Sequence, residues 1–181
     1  MKFKANHLAN LADARFAAAA GADVLTFNFD RTRDFFISEE LFKQMAEWLS
    51  VPVLALDFGN DREYYSRLGA ETGLAVERAA DDDDRLPGRA CDWKVGEREG
   101  KIIWLEYRPE NPGEIRYALE AARQRFPQAE LFFNLDAFPE LLPHSELPLA
   151  GVAGRKIFSL DPLHLDYDAF EAVFSVWKPD G

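Results

Sequence analysis

The feature that most narrows what this chain can fold into is a repeated alternation of two periodicities, a strand-like pattern followed by a helical one, running from Met1 to Arg78. Met1–Asn6 reads as a first strand, and Asn10 can cap a helix that runs through Ala20 before Gly21 supplies a left-handed stop. Val24–Phe29 is a second strand by its β-branched and aromatic content. Ser38 can cap a second helix, in which Leu41, Met45 and Leu49 recur on one face. Val51–Phe58 gives a third strand, Asp61–Leu68 a short helix ending at Gly69, and Gly73–Arg78 a fourth strand. Strands separated by helices imply a parallel sheet, either closed as a barrel or open and doubly wound.

The rhythm breaks at Asp81-Asp82-Asp83-Asp84, which reads as a solvated loop or helix start. Cys91–Glu97 reads as an extra strand rather than a helix and Lys101–Tyr107 as a barrel strand. Together they form either a hairpin or a strand added to a barrel strand. Asn111, Pro112 and Glu114 form a cap, a first-turn proline and a capping-box acid, opening a helix with Ile115, Leu119, Ala122 and Phe126 on one side. Glu130–Leu135 is the next strand and Lys156–Leu160 the last. Phe170, Val173, Phe174 and Trp177 mark a closing amphipathic helix.

Composition limits the function classes. The 181 residues suit one domain, taken as residues 1–181, and at 48% apolar with 13% aromatic they can bury a core. The formal net charge of −11, from 21 Lys and Arg against 32 Asp and Glu, argues against nucleic acid or an anionic membrane as partner. Cys91, the one cysteine, cannot form an intrachain disulfide, and neither an apolar signal segment nor a membrane-length apolar run is present, so a cytoplasmic protein is expected. His7, His144 and His164 lack metal-ligand spacing, and no nucleotide-binding glycine motif occurs, so no metal and no cofactor are expected.

Strand phase carries the functional signal. Lys2, Lys4 and Asn6 alternate with Phe3 and Ala5, and Val24, Thr26 and Asn28 with Leu25, Phe27 and Phe29. Val53, Ala55 and Asp57 alternate with Leu54, Leu56 and Phe58. Glu77, Glu106, Asn134, Asp136, Ser159 and Asp161 take equivalent places in the later strands. Polar residues thus gather at strand C-termini, where parallel α/β sheets hold their ligands. Lys4 among Asp57, Glu77, Glu106 and Asp136 makes either an ion-paired mouth able to tune an acid or base, or a satisfied polar plug.

The run Lys4-Ala5-Asn6-His7-Leu8-Ala9-Asn10-Leu11-Ala12-Asp13-Ala14, followed by the small-residue helix, Gly21-Ala22-Asp23 and Leu25-Thr26-Phe27-Asn28-Phe29, resembles the opening of the phosphoribosylanthranilate isomerase family, K-x-C-G-x-T-x-x-x-D-A. Phe35-Phe36-Ile37-Ser38 resembles its R-Y-[IV]-S, and the segment beginning at Val51 its third strand. The resemblance covers the first third of the chain and implies a TIM-type (β/α) barrel, here shortened and irregular in its C-terminal third. From Asp136 to Gly181 there is too little chain for two complete strand–helix units and a final helix.

The departures from the family pattern fall on its chemistry. Asn6 stands where the family has its catalytic Cys, His7 where it has Gly, and Phe35 at its substrate-binding Arg position, with Arg33 nearby. By resemblance, Asp136 matches the general acid and Gly151-Val152-Ala153-Gly154, with Arg155, a remnant of the first phosphate loop. Ser159-Leu160-Asp161 lacks the glycine of the second.

The leading expectation is an isomerase-like pocket for a small, phosphorylated, sugar-like ligand, with Asp136 as acid and His7 or Lys4 as base. Asn6, Asn28, Arg33, Asp57, Glu106, Asn134, Gly154 and Ser159 would contact substrate. Turnover of phosphoribosylanthranilate itself is expected to be absent or severely weakened, since an amide cannot replace the thiolate. The alternatives are a non-catalytic barrel binding a ligand or partner protein, and a structural homo-oligomer joined through Phe35, Phe36 and Trp177.

Overall fold

In a computed structural model of the chain, eight strands close into a barrel in sequence order. The structure describes residues 2–29, 31–32, 34–49, 53–57, 63–64, 67, 71, 75–79, 88–95, 98–105, 112–127, 130–136, 151–154 and 164–177. The strands are β1 (Lys2–Ala5), β2 (Val24–Asn28), β3 (Val53–Asp57), β4 (Ala75–Ala79), β5 (Gly88–Val95), β6 (Arg98–Leu105), β7 (Glu130–Asn134) and β8 (Gly151–Gly154). The helices are α1 (Leu11–Ala19), α2 (Glu39–Ala46), α3 (Pro112–Arg125) and α4 (Tyr167–Trp177).

Local chemistry sets the element ends. Asn10 Oδ1 accepts from the Asp13 amide at 2.8 Å and opens α1, and Gly21, at φ +93°, turns the chain out of it. Ser38 Oγ accepts from the Leu41 amide at 3.2 Å, while Glu39 and Glu40 complement the positive end of α2. Pro112 occupies the first position of α3, where its missing N–H costs nothing, and Arg123 and Arg125 close the last turn.

The two phases of each strand go to different places. Phe3, Ala5, Leu25, Phe27, Leu131, Phe133 and Val152 join one buried cluster with Ala14 and Ala17 of α1, Phe42 and Met45 of α2, Leu119 and Ala122 of α3, and Phe170 of α4. This is the layer between barrel and helices. Lys4, Val24, Thr26, Asn28, Phe132 and Ala153, in the opposite phase, are also buried and fill the lumen. Phe170 of α4 meets Phe3 edge to face at 5.0 Å, and Tyr167 stacks on Phe16 at 4.0 Å, so the final helix seals the first strand and helix.

Three sequence expectations need correction. On α2 the inward residues are Phe42 and Met45, each 1% exposed, whereas Leu41 is 40% exposed and Leu49 only borders the core. The sheet is not wholly parallel, because β5 pairs antiparallel with both β4 and β6. Residues 80–87, between β4 and β5, are fewer than the dozen or so a parallel crossover requires, and Val95 is in register with Arg98, with only two residues between them in the chain. The hairpin alternative for Cys91–Tyr107 is therefore the one realised, over Gly88–Leu105, with both of its strands in the barrel wall.

The third correction concerns closure. The strand that returns to β1 is Gly151–Gly154, read above as a phosphate-loop remnant; it pairs parallel with β7 and with β1. Lys156–Leu160, expected as the last strand, and the Asp81–Asp84 run lie outside the described residues, as does most of the Asp61–Leu68 helix. Among the described residues β8 and α4 follow Asp136. At the N-terminal rim Lys2 Nζ donates to both carboxylate oxygens of Glu130, at 2.5 and 2.6 Å, across the start of β8. No helix among the described residues is long and apolar enough to cross a membrane.

Candidate functional site

The strand register brings part of the expected set together. Asn134, Ala153, Lys4 and Val24 form one lateral row across β7, β8, β1 and β2. Strands in a sheet lie about 4.8 Å apart, so β7 and β1 stand roughly 10 Å from each other across β8. Asp136, two residues beyond Asn134, and Asn6, two beyond Lys4, rise from this row toward the C-terminal mouth. The side chain between Lys4 and Asn134 is the methyl of Ala153, which leaves room beside both polar groups.

Burial and backbone hydrogen bonds place the members of this row. Lys4 is 0% exposed, its long side chain wholly enclosed by the barrel. The Asn6 amide donates to the Gly154 carbonyl at 2.9 Å, which fixes the backbone where β1 ends. The next two amides go to the other side: His7 N–H donates to Thr26 Oγ1 at 3.1 Å and Leu8 N–H to the Thr26 carbonyl at 2.9 Å. His7 is half-buried at φ +47°, a left-handed conformation usual for Gly. A glycine would adopt this turn geometry without strain. Asn6 is 2% exposed, and its buried Oδ1 has no hydrogen-bond partner among the described residues.

Across the sector, Asn134 Oδ1 accepts from the Asp136 amide at 3.0 Å, an Asx-type turn that sets Asp136 half-buried just beyond β7. The Leu135 amide donates to the Ala153 carbonyl at 2.7 Å and extends the ladder beyond the end of β7. Asn134 is therefore a positioning group for Asp136 as well as a candidate ligand contact. Gly154 contributes its carbonyl to Asn6 from within a strand, in place of the expected anion-binding loop.

Asn28 stands elsewhere. It ends β2 in register with Asp57, which ends β3 and is in register with Glu77 in the middle of β4, so three polar residues sit side by side across these strands. Its amide nitrogen donates to the Asp34 carbonyl at 2.8 Å and its backbone carbonyl accepts from Ile37 at 2.9 Å. Asn28 thus ties down the loop between β2 and α2. Phe35, at φ +62°, lies in that loop. Arg33, Glu106 and Ser159 lie outside the described residues.

Sequence reasoning passed over one functional-looking motif residue. Asp13 is 1% exposed, and its carboxylate accepts from Asn10 Nδ2 at 2.9 Å, the Leu165 amide at 3.1 Å and the Tyr167 hydroxyl at 3.1 Å. It joins the first βα turn to the start of α4. The signal was present in the Asp13-Ala14 pair of the N-terminal motif. Among the described residues no group of three or more His, Cys, Asp and Glu could hold a metal ion.

Comparison with known proteins agrees with this architecture at the level of fold. No family model matches the chain, and no curated protein matches it by sequence. Among solved structures it is similar to monomers generated from the dimeric phosphoribosylanthranilate isomerase of Thermotoga maritima, with a TM-score of 0.63 and 15% identity over 99% of both chains. It is also similar to the phosphoribosylanthranilate isomerase of Thermus thermophilus, with a TM-score of 0.61 and 15% identity over 99% of both chains. A third such isomerase, solved with reduced 1-(o-carboxyphenylamino)-1-deoxyribulose 5-phosphate, gives 0.56 and 14% over 99% of both chains. Likeness at such identity concerns the backbone: the chain has the (β/α) barrel fold seen in phosphoribosylanthranilate isomerases.

Proposed function

We propose that the mouth formed by β7, β8 and β1 binds a small, phosphorylated, sugar-like molecule and acts on it by acid–base chemistry of the isomerase type. The observation that carries this reading is the row Asn134–Ala153–Lys4, with a fully enclosed lysine on one side and the Asp136 turn on the other. In that arrangement Asp136 is the general acid, and Lys4 or His7 takes up a proton. Asn134 positions the acid, Arg33 and Ser159 supply anion and hydroxyl contacts, and Gly154 holds the backbone of Asn6 beside them. Asp57 and Glu106 border the ligand from the remaining strands, with Asn28 holding the loop over it. The phosphorylated ligand of the similar isomerase supports the substrate class. Phosphoribosylanthranilate itself is not turned over at enzymatic rates, because Asn6 offers no thiolate.

A second reading is favoured by Asn6 and His7 together, which replace a base and a glycine while keeping the turn: a non-catalytic barrel that retains ligand binding. A thermal-shift titration against phosphorylated sugars, anthranilate derivatives and inorganic phosphate tests the shared part, since a ligand preferring the folded state raises Tm. A specific shift lost in Arg33→Ala and Asp136→Asn is the expected result. Silence across the panel from folded protein sinks the small-molecule reading. Proton exchange or isomerisation of any hit, abolished in Asp136→Asn, separates enzyme from binder.

A further inference from the structure

Asn6 combines features that rarely occur together. It is 2% exposed, its backbone is anchored to β8 through Gly154, the following two amides are anchored to β2 through Thr26, and its Oδ1 has no hydrogen-bond partner among the described residues. A carbonyl oxygen withdrawn from water without a donor is costly, and native structures hold few such atoms without a reason. Flexibility of the turn does not relieve it, because the chain is tied on both sides. Alternation along β1 puts residue 6 in the phase of Lys4, facing the lumen, at the level where the mouth begins.

We infer that Asn6 Oδ1 is a recognition acceptor for a neutral hydroxyl of the ligand, which makes the ligand a polyhydroxylated molecule whose hydroxyl proton is held at this point without being removed. An amide oxygen accepts a hydrogen bond strongly but does not take up a proton at neutral pH, so residue 6 reads a donor and leaves proton transfer to other groups. A site built around a buried polar group discriminates sharply against analogues lacking the matching group, since binding them leaves that polar atom unpaired. The inference rests on the small-molecule reading above and adds to it the identity of one contact and the character of the ligand group that makes it.

The test is calorimetric titration of the full chain with ribose 5-phosphate, each of its monodeoxy analogues, ribitol and inorganic phosphate, in wild type, Asn6→Leu and Asn6→Ala. Ribose 5-phosphate is expected to lose about tenfold to a hundredfold in affinity in Asn6→Leu, the effect of one hydrogen bond to a buried group. One monodeoxy analogue should bind wild type equally weakly and be indifferent to Asn6→Leu, the non-additivity of two changes to a single contact. Inorganic phosphate should be unaffected by either variant. The analogue arm needs no variant to fold. Ligand-free Asn6→Leu, of nearly the same shape, should melt at or above the wild-type Tm, since it removes an unpaired acceptor. A clear fall in Tm would mean that a bound water already satisfies Oδ1 and would overturn the inference. Binding of ribose 5-phosphate that is indifferent to Asn6→Leu overturns the inference alone. Silence of every probe with folded wild-type protein overturns the small-molecule reading and the inference with it.

Discussion

The Tyr167 hydroxyl donates to the buried carboxylate of Asp13 over 3.1 Å, joining residues 154 positions apart in the sequence. The same carboxylate accepts the Leu165 amide, so the segment entering α4 is fastened to α1 at the mouth end of the barrel. Hydrogen bonds to a buried charge are stronger than neutral ones, and removing the acceptor leaves Leu165 N–H buried and unpaired. Asp13→Ala should therefore cost about 3 kcal/mol in urea unfolding, and Tyr167→Phe about 1 kcal/mol. Equal small effects from both would show that the carboxylate is not the centre of the junction.

The same contact predicts a pH response. Burial, then the hydrogen bond and charge of Asp13, raise the Tyr167 phenol above its ordinary range. A pKa raised in the folded state contributes stability that is complete below the unfolded value, near 10, and is lost as pH rises through the folded value. Stability should fall above about pH 10, and Tyr167→Phe should flatten that part of the profile. The residue is 39% exposed, so solvent screening keeps the effect modest. A profile identical in the variant would contradict the assignment.

Helix α2 shows where sequence periodicity stops being informative. Leu41, Met45 and Leu49 form a regular apolar spacing, yet Phe42 is the 1% exposed residue and meets Phe27 and Phe29 edge to face at 5.0 and 5.3 Å. Two apolar neighbours at 41 and 42 allow two faces, and only the rings of Phe27 in β2 and Phe29 just beyond it decide between them. Phe42→Ala should cost about 3–5 kcal/mol and Leu41→Ala under about 1 kcal/mol by chemical denaturation. The reverse ranking would put the wrong face inward.

Much of the mouth was readable for a related reason. Lys4, Asn6, Thr26 and Asn28 interrupt apolar strands at a strict period of two, and all four are buried. Long-range events leave less local trace: the reversal of β5 stays one of two open alternatives until the length of residues 80–87 is weighed, and the closing strand Gly151–Gly154, with a glycine at each end, resembles a loop. Register decides which polar residues become neighbours. Asn134 and Lys4 flank Ala153 in one row, while Asn28 is in register with Asp57.

Gly151 makes that hidden strand testable. A Cβ there would collide with the Lys2 carbonyl oxygen and come within 2.6 Å of the Phe132 ring, both parts of a closed wall. At Gly21 an added Cβ would meet the Phe174 ring at an ordinary 3.5 Å, leaving only the φ of +93° as an obstacle. Gly151→Ala should thus cost about 3 kcal/mol through overpacking, and Gly21→Ala about 1–2 kcal/mol through backbone strain. Gly151→Ala unfolding at the wild-type urea concentration would mean that β8 does not close against β1.

His7 separates chemistry from backbone strain in a single residue. At φ +47° a side chain costs about 1–2 kcal/mol relative to glycine, and glycine returns roughly 0.5–1 kcal/mol of that through its freer unfolded state. His7→Gly should therefore leave stability unchanged or raise it by up to about 1 kcal/mol, while the amide bond to Thr26 Oγ1 persists because it uses the backbone. If His7 takes up the proton in the proposed reaction, turnover of any identified substrate collapses in this stable variant and Lys4→Met retains residual activity. If Lys4 is the base, His7→Gly turns over normally. A marked loss of stability in His7→Gly would instead show that the imidazole holds the turn.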